Sequence, residues 1–179
     1  MKLQDLVEEI NSVDEVKKEV CEYIKNNANK IFSAKKKQTM QVVDSLEDMS
    51  NNSVYQKTDD EPTEVITSLS SNDREAVAKA RKGDWIACGA NGEKWVIKKE
   101  DFNKIYDVKG DTAYPKQIRY FIKVKPSGKL VWKNAWNETK AIPANTEYYI
   151  MASDKDDLLN CKWENLNPMD ISAFNKTYK

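Results

Sequence analysis

The chain has 179 residues, of which 32% are charged and 40% hydrophobic, and its 29 basic and 29 acidic side chains cancel at neutral pH. It contains no histidine, which removes Ser–His and Cys–His nucleophile pairs, a histidine general base and every mixed Cys/His metal site. A length of 179 residues fits one domain or two small ones with a linker, a mean hydropathy of −0.77 points to a soluble protein with modest cores, and no apolar run approaches the ~20 residues that span a bilayer.

From the N-terminus, apolar residues recur at Leu3, Leu6, Ile10, Val13, Val16, Val20, Ile24, Ala28 and Ile31. Steps of three and four place them on one helical stripe. Ser12 followed by Glu15 forms a capping box, so a helix is expected to restart there. A weaker continuation uses Met40, Val43 and Leu46 after the basic run Lys35-Lys36-Lys37. Residues 1–49 are therefore expected to be a helical arm, packed on the body or serving as a homo-oligomerisation surface. Both roles bury the same stripe. Charge within the first five residues argues against a signal peptide, and the expected compartment is the cytosol.

Residues 50–63 are polar and rich in turn formers, the pattern of a linker. Glu64–Leu69 has strand composition, and Asp73–Ala80 is expected as a short helix capped by Asn72. Next comes Gly83-Asp84-Trp85-Ile86, a glycine-rich turn around Asn91-Gly92, then Gly92-Glu93-Lys94-Trp95, which together predict a tight hairpin. An amphipathic segment anchored by Phe102 and Tyr106 follows.

The C-terminal part begins with a strand whose Ile118, Tyr120, Ile122 and Val124 share one face, while Arg119, Phe121, Lys123 and Lys125 share the other. Pro126–Lys129 is expected to turn it back into Leu130–Trp132 as a basic hairpin over 118–136. Thr146–Met151 is a further strand, then an acidic loop, Trp163 and a closing Phe174–Tyr178 segment. That segment, Phe-Asn-Lys-Thr-Tyr, echoes Phe102-Asn-Lys-Ile-Tyr106, so a degenerate tandem repeat with insertions in the second copy is one reading. The alternative is coincidence of common strand-then-helix patterning.

The residues Gly83-Asp84-Trp85-Ile86, Gly89, Gly92-Glu93-Lys94-Trp95, Phe102 and Tyr106 carry a family likeness. They resemble the PGDYG-like modules common in bacteriophage and prophage genomes, with a Gly-Asp-Trp/Tyr strand, a Gly-Glu-x-aromatic strand and a Phe…Tyr tail. The likeness covers residues 64–108. It departs at Lys82, where the family often has Pro, and at Val96, where Tyr-Pro is usual after Glu-x. The resemblance implies a compact β-rich module of phage or viral origin, in the host cytoplasm or the virion, and no established activity.

Of the residues themselves, Gly83, Asp84, Trp85, Gly92, Glu93, Trp95, Phe102 and Tyr106 are expected to be a structural signature, since aromatics on a small sheet most often form its core. Gly89–Gly92 is not a phosphate loop, because it joins two strands and lacks the following Lys-Ser/Thr. Cys21, Cys88 and Cys161 are scattered without Cys-x-x-Cys spacing, an odd set expected as reduced thiols. Asp154–Asp157 does not fit a calcium loop, and no metal or cofactor is implied. Charge is uneven, however: residues 1–72 hold 9 bases and 14 acids, whereas 109–140 hold 8 bases and 2 acids. The binding candidates are Arg119, Phe121, Lys123, Lys125, Trp132 and Lys133, with Trp136 beside them.

These features predict an α+β protein: a helical arm (1–49), a linker (50–63), the Gly-Asp-Trp module (64–108) and a second β-rich module with the basic hairpin (109–179). The leading function is a non-enzymatic module binding another protein. The second reading is a nucleic-acid accessory protein in which basic groups track phosphates and aromatics stack bases. An enzyme comes third, for want of histidine and of any catalytic motif.

Overall fold

A computed structural model describes residues 3–69, 74–133 and 139–179, with side chains over 15–67, 77–132 and 139–179. The chain opens with helix α1 (Leu3–Asn26), a 3-10 turn (Ala28–Lys30) and strands β1 (Phe32–Ala34), β2 (Met40–Val43) and β3 (Ser53–Gln56). Strands β4 (Thr63–Leu69), β5 (Arg74–Ala80), β6 (Trp85–Cys88) and β7 (Lys94–Ile97) lead to helix α2 (Lys99–Ile105) and strands β8 (Tyr106–Lys109) and β9 (Thr112–Pro115). Then come β10 (Arg119–Val124), β11 (Leu130–Lys133), β12 (Thr139–Ile142) and β13 (Tyr148–Ala152). Helix α3 (Lys155–Leu159), β14 (Asn167–Asp170) and helix α4 (Ile171–Thr177) close the chain. The protein is α+β, a long N-terminal helix followed by a β-rich body.

Two compact units divide it, and one interrupts the other in sequence. The terminal unit joins Met1–Lys35 to Ile118–Lys179, and the inserted unit is Lys36–Gln117. In the terminal unit an antiparallel sheet of order β1-β10-β13-β14 is covered on both faces. One face buries Ile122, Val124, Ile150 and Ala152 against Val16, Val20 and Ile24 of α1 and against Leu130, Trp132 and Ile142 of the β11–β12 hairpin. The other buries Phe121 and Tyr149 against Phe174 and Tyr178 of the C-terminal segment. Phe121 and Ile122 are both 0% exposed, and each such burial contributes about 1.5–3 kcal/mol.

The inserted unit has a six-stranded sheet of order β7-β6-β3-β2-β9-β8, parallel only between β2 and β3. Trp85, Phe102, Tyr106, Val54 and Ile97 pack on the side of α2. On the other side Tyr55 and Ile86 meet Val65 and Ala80 of the two-stranded β4–β5 hairpin.

The same succession occurs in both units: a central strand, a two-stranded hairpin, two sheet strands and a short helix. It runs β3, β4–β5, β6, β7, α2 in the inserted unit and β10, β11–β12, β13, β14, α4 in the terminal one, with α3 added before β14. Aromatic positions match as well. Trp85 stacks on Phe102 at 3.7 Å and Phe102 lies 5.3 Å from Tyr106, while Tyr149 meets Phe174 at 4.3 Å and Phe174 lies 5.7 Å from Tyr178. Each helix closes alike, the N–H of Tyr106 or Tyr178 donating to the carbonyl of Phe102 or Phe174.

Several sequence expectations give way to long-range pairing. Helix α1 runs unbroken through Ser12, without a restart. The arm does not continue as helix: β1 lies at 32–34, and Met40–Val43 is β2, where β-branched Val42 and Val43 pair with β3. The expected linker contains β3, whose Val54 is fully buried at the centre of a sheet. Residues 74–80 form a strand, not a helix, because each is paired in register with β4; the expected cap Asn72 lies outside the described residues. The boundaries at 49, 63 and 108 are replaced by cuts at 35 and 117, since α1 buries its stripe on strands that follow the inserted unit. The expected reduced thiols are also corrected: Cys21 and Cys161 form a disulfide with Cα atoms 5.6 Å apart, and only Cys88, buried, is free.

Candidate functional site

The signature residues serve the fold. Gly83 has φ +91°, and its N–H donates to the Lys57 carbonyl at 2.8 Å. The buried Asp84 carboxylate accepts from the N–H of Arg81 at 2.9 Å, from the N–H of Lys99 at 3.1 Å and from the Lys98 ammonium at 3.4 Å, tying the β5–β6 turn to the start of α2. Burial alone would raise its pKa, but those donors outweigh it and hold the group below its ordinary value of 3.8. A carboxylate depressed on folding stabilises the fold above its unfolded pKa, and that contribution is lost as pH falls through the folded pKa. Asp84→Asn is expected to cost about 1–3 kcal/mol at neutral pH and to flatten the acid limb of stability below pH 3.8, as urea titrations at several pH values would record.

The hairpin turn is built by Glu93, whose carboxylate folds over Gly89 and accepts from the Asn91 N–H at 2.8 Å. A Cβ on Gly89 would meet that carboxylate at 1.9 Å, so a side chain there would push Glu93 aside from its bond to Asn91. Gly92 has φ +78°, the left-handed conformation that glycine adopts without a Cβ penalty. Trp95 is half-buried against the core of Trp85 and Phe102.

The basic hairpin is not formed as expected. Strand β10 pairs with β1 and β13, and β11 pairs with β12. Phe121 and Trp132 are core residues, 0% and 5% exposed, and Trp132 packs on Trp163 at 4.5 Å. Neither is available to stack a base. The side chain of Lys133 and all of Trp136 lie outside the described residues. Arg119 is half-buried, while Lys123 and Lys125 are exposed and come together at one place.

That place is a groove of about 530 Å³ in the terminal unit. Its helical wall is Glu19, Val20 and Tyr23 of α1; its sheet side is Lys123–Pro126, Phe32 and Tyr149; Lys30 and Glu147 stand at its rim. Tyr23 and Phe32 keep 36% and 38% exposure, among the more exposed large apolar groups of the fold. Phe32 stands edge-on to Tyr149 at 5.7 Å. Lys30 lies over the Tyr23 ring at 5.9 Å and Lys123 over Tyr149 at 5.4 Å.

The two carboxylates are engaged. Glu147 pairs with Lys123 at 3.1 Å, and its hydrogen bond raises the lysine pKa. Glu19 accepts from the Ser127 N–H at 3.0 Å and its hydroxyl at 2.9 Å, fastening the turn after β10 to α1. The turn approaches so closely that a Cβ on Gly128 would meet Val16 Cγ2 at 2.4 Å. Among the described residues Lys30 and Lys125 have no ion-pair partner.

Near this wall the hydroxyl of Tyr148 is buried without a hydrogen-bond partner among the described residues. Burial, and then the Glu19 carboxylate, push its pKa far above the ordinary 10.0; burial alone raises Tyr106 and Tyr178. Above pH 10 the unfolded chain therefore holds fewer protons than the folded one, and stability falls as pH rises. Tyr148→Phe is expected to leave stability unchanged or raise it by about 1 kcal/mol at neutral pH. In denaturant titrations it should also lessen the alkaline loss.

Tyr23, Phe32, Lys30, Glu19, Glu147 and Tyr149 were not legible as site residues. They come from three separated stretches, 19–23, 30–32 and 147–149, that only the fold gathers, and Tyr23 sits off the apolar stripe of α1. Among the described residues no group of three or more Cys, Asp or Glu side chains is placed to hold a metal, and no helix is long and apolar enough to cross a membrane. The chain matches no protein-family model, no curated protein and no solved structure.

Proposed function

We propose that this protein is a non-enzymatic binding module that acts by contact with another protein, and that the groove between α1 and the end of β10 is its contact site. The observation that supports this reading is the groove itself: exposed aromatic rings beside lysines, with both local carboxylates already committed to partners within the fold. Aromatic groups rimmed by polar ones are the usual make-up of a protein contact. Glu147 is held by Lys123 and Glu19 by Ser127, so the carboxylates of the groove are occupied within the fold. The nucleic-acid reading loses weight because Phe121 and Trp132, its stacking groups, are buried. A phage or viral origin, with residence in the host cytoplasm or virion, is carried only by the likeness of Gly83–Tyr106 to the phage modules.

Selection of random peptides on the intact protein tests the contact site. Enriched peptides should lose about tenfold or more in affinity for a Tyr23→Ser/Lys125→Glu variant. Both positions are exposed, so the variant should keep the wild-type melting temperature. Peptides that bind both proteins equally would place the contact elsewhere. Salt-dependent retention of a single-stranded oligonucleotide by the wild type alone would favour the nucleic-acid reading.

A further inference from the structure

The register of the terminal sheet leaves one strand edge incomplete. Strand β1 pairs with Arg119, Tyr120 and Phe121 only, whereas β13 pairs with Tyr120 through Val124. Ile122, Lys123 and Val124 therefore have a strand neighbour on one side alone. Alternate residues of an antiparallel strand turn their N–H and C=O to the same side; Ile122 and Val124 are 0% and 3% exposed, so the exposed Lys123 between them is where an added strand would meet the backbone. That side is where the groove lies. The edge ends there because the chain before Phe32 leaves the sheet as the 3-10 turn at Ala28–Lys30.

Resting on the binding-module reading, we infer that the groove takes an extended peptide segment that adds as a strand to β10, with alternating apolar and carboxylate side chains. An unpaired edge is a template for such addition, with backbone bonds giving affinity and flanking side chains giving choice. Side chains of an added strand alternate between faces. One face meets Val20 and Tyr23 of α1, which suits apolar residues. The other meets Lys123 and Lys125, which share a face two residues apart; Lys123 is already paired with Glu147, and Lys125 has no ion-pair partner among the described residues. Carboxylates fit that face. The helix wall and Phe32 limit the length, so the segment is short.

The test uses the intact protein and acetyl-Val-Glu-Val-Glu-Val-amide, followed by backbone-amide NMR. Strand addition predicts shifts at Ile122–Lys125 and slowed exchange of an amide there. It also predicts about tenfold weaker binding when the central peptide nitrogen is methylated. Exchange of both Glu for Gln should weaken binding several-fold. If the methylated peptide binds equally well and still shifts groove residues, strand addition is wrong while the groove remains a contact site. If neither this peptide nor those selected at random perturbs the groove, both readings fall. Tighter binding of the Gln peptide would overturn the acidic pattern.

Discussion

Phe102→Ala is expected to lower the unfolding free energy by about 3–5 kcal/mol, the range for deleting a fully buried aromatic. Phe102 is 1% exposed and lies parallel to Trp85 with ring centroids 3.7 Å apart. Tyr106 closes the other side at 5.3 Å. Truncation would leave a cavity bounded by strands β3, β6 and β7, whose backbone bonds prevent collapse onto it. Urea unfolding monitored by circular dichroism measures the loss. Trp95→Ala serves as comparison and should cost less, because that ring is only half-buried. Were Trp85, Phe102 and Tyr106 a binding face instead of core, Phe102→Ala would leave the unfolding midpoint nearly unchanged.

Breaking the Cys21–Cys161 disulfide should cost a comparable amount. The link spans a sequence separation of 140 residues, and in the chain-entropy description a loop of that length contributes about 5 kcal/mol by restricting the unfolded chain. Its position explains the size: it joins α1 to the loop after α3, two parts of one unit separated in sequence by the whole inserted unit. Comparison of the oxidised protein with Cys21→Ser/Cys161→Ser in urea measures the difference. Thiol titration of the denatured, unreduced protein should find one free group, Cys88. Three free thiols and no change in stability on adding reductant would contradict the link.

Local signals in the sequence were reliable where local chemistry decides the structure. The stripe Val16, Val20, Ile24 predicted the buried face of α1, and Gly83, Gly92 and Glu93 predicted the β6–β7 hairpin. The echo of Phe102…Tyr106 in Phe174…Tyr178 pointed to the strand–strand–helix pattern that both units contain. Failures came where distant partners override propensity. The alanines of β5 favour a helix, but seven residues of β4 lie in register with them. Alternation along Arg119–Lys125 correctly separated the two faces of β10, yet both faces are covered, so Phe121 became core. No cysteine spacing could announce a disulfide whose partners are separated by an inserted unit.

The groove was legible only in part. Lys123 and Lys125 stood out as basic residues on one strand face, whereas Tyr23, Phe32 and Glu147 reach the same place from other elements. The hairpin of β6 and β7 is accounted for by turn geometry, the bonds of Asp84 and Glu93, and core packing. The binding surface we propose is the groove of the terminal unit, on residues away from the signature in sequence. Amide NMR of the intact protein with a selected peptide tests this most directly. Shifts should cluster at Tyr23, Phe32 and Lys123–Lys125, with Gly83–Tyr106 unmoved. Shifts centred on Gly89–Trp95, with the groove silent, would contradict it.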